Sequence, residues 1–271
     1  VRESYTEVSA ADNLSETIRV LCNNNGYTLL LMLDEIEHIT YKKAAEECWK
    51  TGMESVKFWK AMRAAYLDEH SKFTYCIVGT NPICIEYTTI DKTDNPIFNG
   101  VDVRYISGFE VDQTRAMVRK LGRIMGVKFD ESLYSRMVED YGGHPFLIRH
   151  FCSFLTNKYK DRPLSVDRRT YIETRKEFDE TQGKYFDMIL EVLNEFYPDE
   201  YELLKFLAQD DEASFLLFVE EEPSMIQHLI GYGIINKTDN YYDFKMDVVK
   251  EYILHKEKMS KKGLSREEKW S

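Results

Sequence analysis

The stretch Thr28–His38, TLLLMLDEIEH, carries five apolar residues, Leu29 to Leu33, straight into Asp34 and Glu35. An unbroken apolar run closed by charge predicts a strand covered on both faces of a parallel sheet. Acids at its end would stand at the carboxyl edge of the sheet, where open α/β sheets bind ligands; two solvated acids after a buried strand would look the same. Phe73–Val78, FTYCIV, predicts a second buried strand, ending at Gly79-Thr80-Asn81-Pro82. Thr80 and Asn81 would then leave a strand end as Asp34 and Glu35 do. Polar groups there can bind a phosphate or align a water, and the same four residues also spell an ordinary turn. Val101–Ile106, VDVRYI, alternates and predicts a third strand at the end of the sheet.

Helical periodicity fills most of the rest. Residues 12–22 read as a short helix opened at Asp12–Ser15 and stopped by Asn23-Asn24-Asn25-Gly26. Residues 39–70 read mainly as helix, with Val56, Phe58, Trp59, Met62, Ala65 and Tyr66 near a 3.6 period. Residues 83–100 are irregular around Asn95-Pro96. Helices follow over 112–126, with Asp112 as N-cap, and over 130–140. Tyr141-Gly142-Gly143-His144-Pro145 ends the second of these, and Pro145 suits the first turn of a helix over 146–159. The polar stretch 156–167, with Pro163, reads as a bend or linker. Beyond it lie a helical region over 168–196 broken near Gly183, then helices over 198–208, 213–219 and from Pro223. Gly231-Tyr232-Gly233 turns the chain into a hairpin, Ile234–Lys237 and Tyr241–Lys245, with Thr238-Asp239-Asn240 as its turn. A last helix runs over 246–256. Three helices, a hairpin and a closing helix are the order of a winged helix.

Charge changes what this region is expected to bind. The 271-residue chain has a net charge of -11, which argues against a general phosphate-backbone binder without excluding a local basic patch. The third helix of the winged-helix pattern, SMIQHLIGYG, has no Lys or Arg, and 210–222, DDEASFLLFVEEE, is strongly acidic. The expectation is therefore contact with protein rather than with nucleic acid. The five cysteines form no CxxC pair and read as free thiols of a reduced, cytoplasmic protein, without a zinc site. No apolar run approaches the roughly 20 residues that cross a bilayer, and no signal peptide is visible, so no membrane partner is expected. The segment 256–271 is charged and reads as a solvated tail, with Trp270 unexplained.

No GxxxxGK[ST] occurs; Gly183-Lys184 is followed by Tyr185 and lacks the upstream glycine. With Val1 in first place, the chain reads as a piece of a longer protein that starts after a phosphate loop. The order of Asp34-Glu35 strand, helix, Thr80-Asn81 strand, edge strand and helices with Gly142-Gly143-x-Pro145 resembles the AAA+/STAND class of P-loop ATPases, bacterial and archaeal type, over about Asn13 to Tyr159. The resemblance implies the remainder of a parallel α/β P-loop NTPase sheet (1–108), a helical lid (109–165), a helical linker and winged helix (166–257) and a charged tail (258–271). It implies ATP and Mg²⁺ at the carboxyl edge under the lid. Asp34 would hold the metal as the Walker B acid, and Glu35 would orient the attacking water. Thr80 and Asn81 would sense the γ-phosphate. Gly143 and Pro145, with Gly142, would form the lid signature beside the adenine, and Arg149 would point toward phosphates. No arginine finger is evident; Arg104 reads as facing outward, and His38 as a surface or packing residue. The function implied is the ATPase module of a STAND-type signalling or antiviral defence protein, whose nucleotide state switches conformation and assembly, with self-association or a protein partner. The alternatives are a non-catalytic ATPase-like scaffold and an initiator-like DNA-binding ATPase.

Overall fold

A computed structural model describes residues 7–69, 72–98, 100–181, 183–238 and 241–261. Asp239 and Asn240 of the hairpin turn expected over Thr238-Asp239-Asn240 lie outside them, as does Trp270. The chain divides into two units, Val1–Arg104 and Tyr105–Ser271.

In the first unit the helix α1 begins earlier than its cap signal predicts, at Glu7, and runs to Arg19. A π-helical turn, Val20–Asn24, extends it, so that Ile18 and Cys22 both reach the core. Next comes β1 (Leu29–Leu33), and a 3₁₀ turn, Ile36–Ile39. The helix expected over 39–70 is two helices, α2 (Glu47–Lys50) and α3 (Met53–Asp68), separated at Gly52, whose φ of 92° is open to glycine. Then β2 (Phe73–Ile77) lies parallel to β1, Leu29 opposite Phe73 and Leu33 opposite Ile77. Leu29, Leu31, Leu33, Tyr75 and Ile77 pack on Trp59, Met62 and Ala65 of α3.

Two expectations fail here. The strand β1 is covered on one face only: Leu30 is 55% and Met32 66% exposed, because α1 and α3 both pack on the other side. Val101–Ile106 joins no strand among the described residues, and Val103, Tyr105 and Ile106 are exposed. Its alternation is that of a strand, yet pairing needs a neighbour that local pattern cannot supply. The irregular stretch before it holds α4 (Ile83–Glu86) and a two-residue antiparallel bridge, β3 (Thr89–Ile90) with β4 (Thr93–Asp94).

The second unit opens with α5 (Val111–Met125). Its N-cap is Glu110 rather than Asp112, and Gln113 Oε1 accepts from the Glu110 N–H at 3.0 Å. There follow β5 (Val127–Phe129), α6 (Leu133–Tyr141), α7 (Pro145–Lys158) and β6 (Leu164–Val166). The linker expected over 156–167 thus contains a strand, paired in parallel with β5. The helices α8 (Arg168–Thr181) and α9 (Gly183–Phe196) meet at the expected break. Then come α10 (Pro198–Ala208), α11 (Glu212–Glu221), a 3₁₀ turn Pro223–Ile226 with α12 (Gln227–Gly231), the antiparallel hairpin β7 (Ile235–Thr238) and β8 (Tyr241–Phe244), and α13 (Asp247–Lys261). One core runs from Val118 to Ile253. In it the buried His228 Nδ1 meets Glu200 Oε1, tying α12 to α10. Among the described residues no helix is long and apolar enough to cross a membrane.

A buried polar cluster ties α6, α8 and α13 together. Asp140, fully buried, accepts from the Tyr171 hydroxyl at 2.7 Å and ion-pairs with Arg136 at 2.6 Å and Arg175 at 3.4 Å. Asp179 accepts from the Tyr141 hydroxyl at 3.0 Å and pairs with Arg175 at 3.1 Å, while Arg175 reaches Glu251 at 3.0 Å. Burial outweighs Arg175 and pushes the Asp179 carboxyl up to about 7. The folded chain then holds this proton more tightly than the unfolded chain, so stability falls as pH rises from about 4 to 7 and levels off above. Asp179→Asn should flatten that fall, with the gain over wild type largest above pH 7. Urea midpoints of the two proteins measured from pH 4 to 8 check this, and parallel curves contradict it.

Candidate functional site

In the first unit the parallel register sets the carboxyl ends of β1 and β2 side by side. Past the strands, the Val78 N–H donates to Leu33 O at 2.7 Å, and the Ile36 N–H to Val78 O at 3.2 Å. Asp34-Glu35 and Gly79-Thr80-Asn81 therefore leave the sheet at one edge. Asp34 and Glu35 are exposed, and Asp34 Oδ1 accepts from the Glu35 N–H at 2.9 Å. Glu35 has φ 53° and ψ 49°, the left-handed region that non-glycine residues enter at a cost. That twist turns its carboxylate outward, where Oε2 meets His38 Nε2 at 3.2 Å. His38, expected to be a bystander, thus touches the Glu35 carboxylate.

A third acid completes the edge, and sequence reasoning missed it. Glu37 Oε1 accepts from Thr80 Oγ1 at 2.6 Å and also from the Thr80 N–H. The signal in the sequence was the spacing Asp34-Glu35-x-Glu37, which a 3₁₀ turn curls back toward the second strand end. Gly79 belongs to the same contact. A Cβ there would lie 2.6 Å from Ile36 Cγ2 and 2.7 Å from Glu37 Oε1, so only glycine lets Glu37 close on Thr80. Asn81 is 7% exposed, and its Oδ1 accepts from the Ile83 N–H at 3.2 Å, closing its own turn.

The remaining predicted residues stand in the second unit. Gly142 (φ 59°) and Gly143 (φ 69°) are both left-handed, at the end of α6. A Cβ on Gly143 would lie 1.9 Å from Phe109 O, and the Phe109 N–H donates to Gly143 O at 2.8 Å. Gly143 is thus required where the chain passes the Phe109 backbone, whereas a Cβ on Gly142 would lie 2.5 Å from Met246 Cγ. Pro145 is the first residue of α7, where its missing N–H costs nothing. His144 caps that helix, with the Tyr185 hydroxyl 3.2 Å from its Nε2, and burial lowers its pKa. Arg149 is exposed on α7, and Arg104 is exposed in the first unit.

Chemically, the first-unit edge offers exposed carboxylate oxygens suited to a hard cation such as Mg²⁺, which binds through one or two carboxylates, waters and phosphate oxygens. Among the described residues no group of three or more His, Cys, Asp or Glu converges as a metal cage. Asp34 fits the role of metal carboxylate, and Glu35 that of a carboxylate facing solvent. A cradle for a triphosphate is not spelled by these residues, since GxxxxGK[ST] is absent from the sequence.

No known sequence family matches the chain, and no curated protein does. A solved structure does match: the Walker-type ATPase PABY2304 of Pyrococcus abyssi, with TM-score 0.55 and 16% identity, over 93% of this chain and 69% of that one. The likeness is one of fold. The chain shares the helix-rich α/β fold of that structure, and its β1 and β2 are paired in parallel.

Two substitutions test the local account. In Glu37→Ala the Thr80 amide should exchange its hydrogen at least about tenfold faster, the equivalent of losing a bond of ~1.4 kcal/mol to a charged acceptor. Unchanged protection of Thr80 contradicts the contact. Gly143→Ala should destabilise the second unit by more than about 1 kcal/mol, because both its φ and the space beside it exclude a side chain. Urea unfolding measures this, and a wild-type midpoint refutes it.

Proposed function

We propose that the chain is the nucleotide-responsive part of a STAND-type ATPase, and that the first-unit edge is the metal and water side of its site. The observation that carries this reading is the parallel register that brings Asp34, Glu35 and Thr80 to one edge. Asp34 would hold Mg²⁺ through its exposed carboxylate, largely through water. Glu35 would orient the attacking water, its left-handed backbone aiming the carboxylate away from the strand. Bound Mg-ATP supplies the transferable phosphoryl group. Thr80 donates to Glu37 as the chain stands. Exchange of that hydroxyl from Glu37 to a phosphate oxygen would give the edge two states that differ with the nucleotide bound. The region α10–α13 has the element order of a winged helix, and we assign it to protein contact.

A second reading, a non-catalytic scaffold, draws on specific observations. Asn81 is spent on its own turn, Thr80 is held by Glu37, and the phosphate-loop motif is absent. DNA binding is disfavoured by α12, which has no Lys or Arg, and by the acidic residues of α11.

Calorimetry with Mg-ATP on the protein at its natural length, together with Glu35→Gln, separates these readings. The ATPase reading expects binding in both proteins and turnover lowered by about 10²–10⁴-fold in the variant. Wild-type turnover in Glu35→Gln removes Glu35 from the mechanism. Absence of ATP binding in the wild type establishes the scaffold instead.

A further inference from the structure

Within an acidic chain, the outer face of α5 is basic. Ala116, Arg119, Lys120, Arg123 and Ile124 are all exposed and recur at helical spacing, so they share one side. Together with Lys128 of β5, Arg119 and Arg123 border a groove of about 600 Å³ floored by Val118 and Phe129. Glu131 neutralises part of this face, reaching Arg115 at 2.5 Å and Arg119 at 2.7 Å. Arg123, Lys120 and Lys128 have no ion-pair partner among the described residues. Ile124, beside them, is 78% exposed.

The helix α11, in the same unit, repeats this pattern with the opposite sign. Ala213, Leu217, Glu220 and Glu221 are exposed and share one side, with Phe218 and Glu222 flanking them. Leu217 is 57% and Phe218 39% exposed. Asp210 is paired with Lys250 at 2.7 Å, but Glu212, Glu220 and Glu221 have no cationic partner among the described residues. One helix thus presents an alanine and an isoleucine among unpaired cations. The other presents an alanine and a leucine among unpaired acids.

We infer that α11 of a second copy docks on the basic α5 face of the first, setting copies head to tail. Charge complementarity selects the partner, and Ile124, Leu217 and Phe218 supply apolar surface that each copy alone leaves in water. The contact joins two different surfaces, the α5 face of one copy and α11 of the next, so it is heterologous and propagates into a ring or filament. Exposed ion pairs are individually weak and screened by salt, so the assembly is salt-sensitive. This inference does not rest on the nucleotide reading.

Sedimentation velocity on the wild type should show mass rising with protein concentration in dilute salt, and a monomer at about 0.5 M salt, where the screening length falls below about 5 Å. Arg123→Glu with Lys128→Glu should be monomeric, as should Glu220→Lys with Glu221→Lys. The neutral pair Arg123→Gln with Lys128→Gln, less able to perturb folding, should weaken association at least about tenfold. Mixing the two charge-reversed proteins should restore association, because each acidic groove then meets a basic α11 and each basic groove an acidic one. A wild type that stays monomeric in dilute salt overturns the inference. So do reversed proteins that associate as wild type does, or a mixture that stays monomeric.

Discussion

Leu33 and Ile77 face each other across a parallel pair, and two further backbone hydrogen bonds carry the alignment beyond the strands, from Val78 to Leu33 and from Ile36 to Val78. Everything at the edge follows from that register. Shifting β2 by one residue would turn Phe73, Tyr75 and Ile77 out of the core. It would also carry Thr80 away from Glu37. The apolar inner faces therefore fix the polar geometry: burial of Leu29, Leu31 and Leu33 against α3 holds three acids and a threonine where strand ends alone would not.

The edge also stores strain. Glu35 is left-handed without being glycine, a state that costs of order 1–3 kcal/mol. It is held there by its neighbours. Asp34 Oδ1 takes the Glu35 N–H, and the next residue, Ile36, is buried with its N–H on Val78 O. The result is that Asp34 and Glu35, adjacent in sequence, present separate exposed carboxylates. A regular strand would also have divided them between opposite faces, but without the turn that brings Glu37 to Thr80.

What could be read from the sequence was what local pattern determines. The strands β1 and β2, Pro145 opening α7, the break at Gly183 and the hairpin of β7 and β8 all follow from short-range chemistry. What could not be read depended on partners far along the chain. The Glu37–Thr80 contact spans 43 residues, and the Tyr171–Asp140 bond 31. The strands β5 and β6 are three residues each, too short for alternation to register. The segment 101–106 has a strand's alternation without a strand's partner, and β1 has a buried strand's composition with one face bare. Asp34, Glu35, Thr80 and Asn81 do share an edge, while Gly143 has a backbone reason of its own beside Phe109 and Gly142 one beside Met246.

The central claim is that a metal–nucleotide complex meets the chain at the ends of β1 and β2. Paramagnetic broadening by Mn²⁺-ATP, read on the backbone amides of the protein at its natural length, tests it most directly. The account predicts strong broadening at Asp34–Glu37 and Gly79–Asn81, and its loss in Asp34→Ala. Broadening centred elsewhere, with those amides left sharp, would contradict it.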